Sequence, residues 1–317
     1  MEAWSSATPF HSQHWCELIE HSLGIRTEHS VLLSDDTIVA YLPYYHGGVF
    51  AKKLRSGPAL ANYCPALIFN DVQELDPGNL HALISQRHSN ALIPSSANEK
   101  SSTSIFNLHI DGDFDTYWET QVHSKAKYDV RKADKHDITT QFMDSSGYEF
   151  FYPLYLKRMR ELGSPALPGD FFIRLANSFK DSFNFAVSFK GDRAVAASTL
   201  LGYQGRWIGH PWSVSDSDFR HISVNYAHYR DLIRHAFVNN YTNFYLGTSL
   251  KDSNWSRIKK RFGANELFAV RVDGRPNQHA ANSPMVKTAQ FVLKHLPAPI
   301  YRQVSPSISK IAIKLLD

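Results

Sequence analysis

With 317 residues, 43% apolar and 20% charged, the chain has the composition of a soluble globular protein rather than a fibrous or disordered one. At roughly 100–200 residues per domain it should fold as two domains. Its net charge of +4 gathers at one end: residues 284–317 carry Lys287, Lys294, Arg302, Lys310 and Lys314 against Asp317 alone, and the neutral remainder argues against a DNA-binding surface.

No run approaches the roughly 18 uncharged apolar residues of a spanning helix, and the start Met1-Glu2-Ala3-Trp4-Ser5 is unlike a secretory leader. Cys16 and Cys64 are too few for a disulfide framework, so a cytoplasmic protein is expected.

After an opening helix, the apolar runs 31–33 and 37–42 flank Ser34-Asp35-Asp36, which predicts a hairpin. Leu75, Leu80, Leu83 and Ile84 recur at near-helical spacing, and 91–93 and 105–110 read as strands. Asp115 offers an N-cap for one long helix over 116–135, with basic residues toward its C-terminal end, and 138–142 should be the next strand. Residues 148–162 and 168–179 read as helices. Three antiparallel strands follow at 183–189, 194–201 and 206–214, with Lys190-Gly191-Asp192-Arg193 as the first turn. Then come a helix at 224–238, a short strand at 243–246, a helix at 254–261 and a strand at 267–272. The expected class is therefore α/β (α+β), with mixed sheets and interposed helices.

The tail should be helical. Met285, Val286, Ala289, Val292, Leu293 and Leu296 share helical spacing, Pro297 and Pro299 break the pattern, and Ile308, Ile311 and Leu315 resume it beside Lys310 and Lys314. Such a basic amphipathic pair can cap the body or rest on an anionic membrane surface.

Three ordered segments resemble the FemAB-like branch of the GNAT acyltransferase superfamily. They are Leu42-Pro43 with Phe50-Ala51-Lys52-Lys53-Leu54-Arg55-Ser56-Gly57-Pro58 and Asn62-Tyr63; the basic stretch from Tyr117-Trp118 through Lys125 and Arg131-Lys132-Ala133 to Lys135; and Asn225-Tyr226, Phe244-Tyr245-Leu246-Gly247-Thr248-Ser249 and Ile258-Lys259-Lys260-Arg261-Phe262-Gly263. The resemblance implies two GNAT-like domains in tandem, at 1–135 and 136–283, followed by the tail 284–317. It also implies transfer of an acyl or aminoacyl group to an amine of a cell-envelope or exopolysaccharide precursor. Two departures stand out: Cys64-Pro65 replaces a pair of glycines, and Thr248 stands where an arginine often follows the glycine.

A GNAT usually holds donor phosphates in a glycine-rich loop at a helix N-terminus, and the sequence lacks that run. This disfavours an ordinary acetyl-CoA site and leaves the donor open between aminoacyl-tRNA and acyl-CoA, a co-substrate rather than a tightly bound cofactor. Direct attack by the amine needs a polarised carbonyl and a proton outlet. His210, His228, Tyr226 and Tyr229 are candidates for proton transfer. Ser249, Asn225 and Thr248 could orient the carbonyl.

Substrate binding is expected at Gly247, at Trp212, and at Lys259 and Lys260, cations suited to a diphosphate-linked acceptor or the tRNA acceptor end. Arg55, Ser56, Asn62 and Tyr63 form a turn-rich loop fit to bind the acceptor. Neither the histidine spacings nor Asp111, Asp113 and Asp115 complete a metal site, so none is expected. The rival reading is a catalytically silent tandem domain that binds glycan intermediates or scaffolds a polysaccharide-synthesis complex.

Overall fold

The computed structural model describes residues 7–34, 36–47, 53–56, 59–61, 64, 67–69, 92–95, 103–271 and 284–316. Helix α1 (Gln13–Leu23) starts where the Ser12 hydroxyl accepts the Trp15 N–H at 3.2 Å and stops at Gly24, which adopts the left-handed conformation at φ 64°. The expected hairpin follows as β1 (Thr27–Ser34) and β2 (Thr37–Gly47). β3 (Lys53–Ser56) and β4 (Leu67–Ile68) both pair antiparallel with β2, which makes a small sheet. The helix expected near 75–84 lies outside the described residues.

β5 (Leu92–Ser95) and β6 (Thr103–His109) come next, and then two helices instead of the long one expected: α2 (Phe114–Thr120) and α3 (Ser124–Asp134). Asp113, not Asp115, caps the first, its Oδ1 accepting the Thr116 N–H at 2.8 Å. The break has a tertiary cause. The His123 N–H leaves the helical ladder to donate to the Arg261 carbonyl at 2.8 Å, while the His123 ring caps α3.

Beyond β7 (Ile138–Met143), α4 (Tyr148–Leu162) and α5 (Gly169–Ser178) lie close to their expected bounds, as do β8 (Phe183–Lys190) and β9 (Arg193–Tyr203). The single strand expected over 206–214 is two, β10 (Trp207–Gly209) and β11 (Ser213–Ser215). Both pair with β9, but the register slips between Gly209↔Leu201 and Ser213↔Ser198, across Pro211, which has no N–H for the ladder. Helix α6 (Val224–Val238) follows, then β12 (Asn243–Leu250), longer than expected, α7 (Asn254–Arg261) and β13 (Asn265–Arg271).

β5 to β13 form one nine-stranded sheet, ordered β5-β13-β6-β12-β10-β9-β8-β7 with β11 beside β9. β10 and β12 run parallel, and the other described pairs are antiparallel. This is the expected α/β architecture of mixed sheet and flanking helices. The large sheet draws β5 and β6 from before residue 135.

Period-two alternation sets the layers. Phe183, Phe185, Val187 and Phe189 of β8 and Ala197 and Leu201 of β9 face a core shared with α1, α4 and α5. Ala186 and Leu200 face the opposite core, under α6.

The tail forms α8 (Pro284–His295) and α9 (Ala298–Leu316), the second starting at once after Pro297, with Pro299 tolerated in its first turn. Both dock on the body. The Arg160 Nε donates to the Leu296 carbonyl at 2.7 Å, the Tyr301 hydroxyl donates to the Ser164 carbonyl at 2.6 Å, and Leu293 and Tyr301 are buried.

Candidate active site

β10 and β12 pair over only three residues, Trp207 to Gly209 against Asn243 to Tyr245, and then part. β12 runs on to Leu250 with its other edge on β6, whereas β10 turns through His210-Pro211-Trp212 into β11. The wedge between them is a cleft of about 440 Å³ at the C-terminal end of the parallel pair, the place where open α/β sheets most readily hold ligands. A bulge in β12 shapes its floor: Tyr245 pairs with Asn107 and Gly247 with Phe106, so Leu246 is an extra residue and Gly247 takes φ 78°.

Helix α7 delivers a cation into this cleft. Ser253 caps its start by accepting the Ser256 N–H at 3.2 Å, and the buried Tyr117 hydroxyl donates to the Phe262 carbonyl at its end at 2.5 Å. Lys259 is only 4% exposed. Its Nζ donates to the Thr248 carbonyl at 2.9 Å and to the Ser249 Oγ at 2.8 Å, and it lies 5.2 Å from the Phe106 ring centroid. Burial pushes its pKa down to about 7. An ammonium has three N–H groups, so these two bonds leave one for an occupant of the cleft.

His210 lines the same wedge, 5% exposed, with both ring nitrogens lacking a partner among the described residues. Burial, reinforced by the charges of Lys259 and His228, lowers its pKa to about 3, so it is a neutral imidazole at ordinary pH. Buried polar atoms are normally paired, and a pair of unpaired nitrogens on a cleft wall is an invitation to a ligand. Tyr229 meets His210 edge to face at 5.2 Å, and burial raises its phenol, which stays protonated. Trp255, 41% exposed, forms an aromatic rim 6.4 Å from the Tyr229 ring.

The fold thus gathers His210, Tyr229, Gly247, Thr248, Ser249 and Lys259 around one cleft, and adds Ser213 and Trp255, which sequence reasoning did not single out. The other expected site residues do not line it. The Tyr226 hydroxyl accepts from the Arg261 guanidinium at 2.9 Å, and Asn225 sits half-buried in the first turn of α6. Trp212 packs between Trp15, Phe171 and Phe172 in the other core. Lys260 pairs with Glu266 at 2.5 Å. Arg55 and Ser56 lie on β3 of the small sheet, opposite Tyr45 and Tyr44, and Asn62 and Tyr63 are outside the described residues.

The segment entering α6 is a turn around Asp216, whose carboxylate is held by Lys157 and, at 2.8 Å, by Arg193. Among the described residues no group of three or more His, Cys, Asp or Glu is placed to hold a metal ion.

Residues 121–257 match the family model described as the acetyltransferase (GNAT) domain. That segment is therefore similar to GNAT acetyltransferase domains. The matched segment contains both walls of the strand wedge and stops just short of Lys259. No curated protein sequence matches. Among solved structures, the crystal structure of FemX superposes with a TM-score of 0.58 at 12% identity, over 84% of this chain and 93% of that one. The C-terminal domain of a putative lysylphosphatidylglycerol synthetase from Agrobacterium fabrum is similar over 92% of this chain and 96% of its own, at 12% identity and a TM-score of 0.49. The superposition on FemX shows a shared fold.

Proposed function

We propose that the protein is an N-acyltransferase that moves an acyl or aminoacyl group from an activated ester or thioester to an amine of a cell-envelope or exopolysaccharide precursor. The amine attacks directly, with no covalent enzyme intermediate. The observation that carries this reading is Lys259, a buried cation pinned by two hydrogen bonds at the mouth of a strand wedge, with one N–H to spare. As the tetrahedral intermediate forms, the donor carbonyl becomes an oxyanion, and a preorganised ammonium in a dry site stabilises that charge. Ser249 and the Thr248 carbonyl hold Lys259 in place. Neutral His210 hydrogen-bonds the substrate, and Tyr229 and Trp255 supply apolar walls.

Direct attack suits the thiols as well, since Cys16 and Cys64 are buried away from the cleft. The missing glycine-rich phosphate loop supports a donor that is not gripped through its phosphates at a helix N-terminus, which keeps aminoacyl-tRNA beside acyl-CoA as the donor. Arg55, Ser56, Asn62 and Tyr63 are proposed to bind the acceptor, and the basic tail to rest against an anionic membrane that presents a lipid-linked one.

The test is transfer of labelled groups from aminoacyl-tRNA and acyl-CoA panels to amino-sugar and peptide amines. Lys259→Met should lower kcat by about 100- to 1,000-fold, whereas Lys260→Ala, which breaks only the pair with Glu266 outside the cleft, should change it little. With Lys259 acting as a cation, kcat should fall as pH rises through about 7, where the ammonium is lost. A rate that instead rises through that pH would make Lys259 the base.

A further inference from the structure

A row of hydroxyl groups leaves the cleft and crosses the sheet under α6. Ser213 lines the cleft, and its Oγ is 2.8 Å from that of Ser198, its cross-strand partner on β9. The Ser198 Oγ is 2.7 Å from the His228 Nε2, and the His228 Nδ1 is 2.7 Å from the Ser188 Oγ. Ser188 lies 2.8 Å from the hydroxyl of Thr140, its cross-strand partner on β7, and Thr140 donates to the Asp231 Oδ2 at 2.6 Å. Six side chains, drawn from four adjacent strands and one helix, thus form a continuous chain. Ser188 and Ser198 are fully buried and His228 is 1% exposed. At the far end, Thr140 and Asp231 line a second cleft of about 450 Å³, and the Asp231 side chain is 17% exposed.

Counting donors fixes the polarity of this chain. An ionised Asp231 only accepts, so Thr140 must donate to it, Ser188 to Thr140, and the His228 Nδ1–H to Ser188. The His228 Nε2 then accepts from Ser198 once that hydroxyl turns away from Ser213, to which it donates in the structure. With Ser198 so turned, every hydroxyl gives one proton and takes one, all in the direction of Asp231. A network that served only to satisfy buried groups has no need to join two solvent-facing clefts.

Resting on the proposed transfer reaction, we propose that this chain is the proton exit: it carries the proton shed by the acceptor amine from the cleft at Ser213 through His228 to Asp231 and solvent. The balance requires such an outlet. When an ammonium reacts with an activated carbonyl, the C–N bond forms and the C–O or C–S bond to the leaving group breaks. One proton stays on the amide, one goes to the leaving group, and one must go to bulk. His228 need not rest as an imidazolium, because it takes a proton at Nε2 as it releases one from Nδ1. Burial, which depresses its pKa to about 4, favours that concerted hop.

Thr140→Val is nearly isosteric, sits at a half-buried position and removes one link; Thr140→Ser restores the hydroxyl. In weak buffer, Thr140→Val should lower kcat at least about tenfold at unchanged KM, enlarge the solvent isotope effect, and recover with added imidazole, while Thr140→Ser stays near the wild type. Turnover by Thr140→Val within twofold of the wild type would overturn the proposal.

A second measurement needs no turnover. Long-range nitrogen NMR should find His228 neutral with its proton on Nδ1, and in Thr140→Val the freed Ser188 hydroxyl should donate to Nδ1 and move the proton to Nε2. A wild-type proton on Nε2, or no change in the variant, would also overturn it. If no donor is turned over at all, the transfer reading falls while the tautomer still reports on the chain of hydrogen bonds.

Discussion

His228 and His210 are buried imidazoles, and this makes each a liability in acid. Burial lowers their pKa values to about 4 and about 3, so between those values and about 6.5 the unfolded chain binds protons that the folded one does not. Their effect on stability is therefore absent above pH 6.5 and grows as the pH falls through that window. For His228 alone, stability at pH 4.5 should be roughly 2–3 kcal/mol below its value at pH 7. Asp231, the nearest carboxylate, opposes the shift only in part. Urea melts should show a His228→Gln variant to be less stable than the wild type at pH 7, yet with a flatter loss toward pH 4.5. An unchanged slope would mean that the histidine is charged in the folded protein. Lys259 is the same case in a higher window: buried and held at about 7, it costs stability progressively as the pH falls below the ordinary lysine range and in full below about 7, so its replacement should harm catalysis and leave the melt intact or raised.

Among the elements, the joint between α4 and α8 depends on one residue with no side chain. Gly163 ends α4 at φ 67°, and a Cβ there would fall 2.2 Å from the Gln290 carbonyl oxygen of α8. Gly112 has a similar φ, 71°, but open space around it. Gly112→Ala should therefore cost only the backbone strain of about 1 kcal/mol, while Gly163→Ala should cost at least about 2 kcal/mol, because α8 must lift. Equal thermal shifts for the two variants would show that α8 yields freely.

The elements that sequence reading placed well are those set by local pattern: α6 and α7 match their expected bounds because apolar spacing decides the first and the Ser253 cap starts the second. Where it failed, a distant group had intervened. The long helix over 116–135 breaks because the carbonyl of Arg261 takes the His123 N–H, and the strand over 206–214 splits where it must leave β12. The site was legible in outline. Lys259, however, stood in a run of three cations that reads as a solvated face, and only the short α7 turns it inward while sending Lys260 to Glu266. Thr140, Ser188, Ser198 and Ser213 carry no sequence signal at all, since serine and threonine have no periodicity of their own and the strand register alone brings them together.

For the molecule as a whole, the open question of surface is the tail. Its inward face is committed: Leu293, Tyr301 and Ile313 are buried, and Ser305 accepts the Ala166 N–H at 2.6 Å, so cutting the tail away would uncover core. Among the described residues no helix is long and apolar enough to cross a membrane. Any contact with lipid must then be made by what stays outside, namely Phe291 at 65% exposure, Val292 at 52%, Ile300 at 48% and Ile311 at 57%, alongside Lys287, Lys294 and Arg302. Basic groups near an anionic surface contribute about 1 kcal/mol each, and shallow insertion of a few apolar side chains adds to that. The full chain should float with vesicles rich in anionic phospholipid at low salt and stay behind with neutral ones. Phe291→Ser with Ile300→Ser, both at exposed positions, should abolish flotation without moving the melting temperature. Flotation that survives those substitutions would locate the membrane contact elsewhere, and failure of the full chain to float on anionic vesicles would leave the tail as a cap on the body and nothing more.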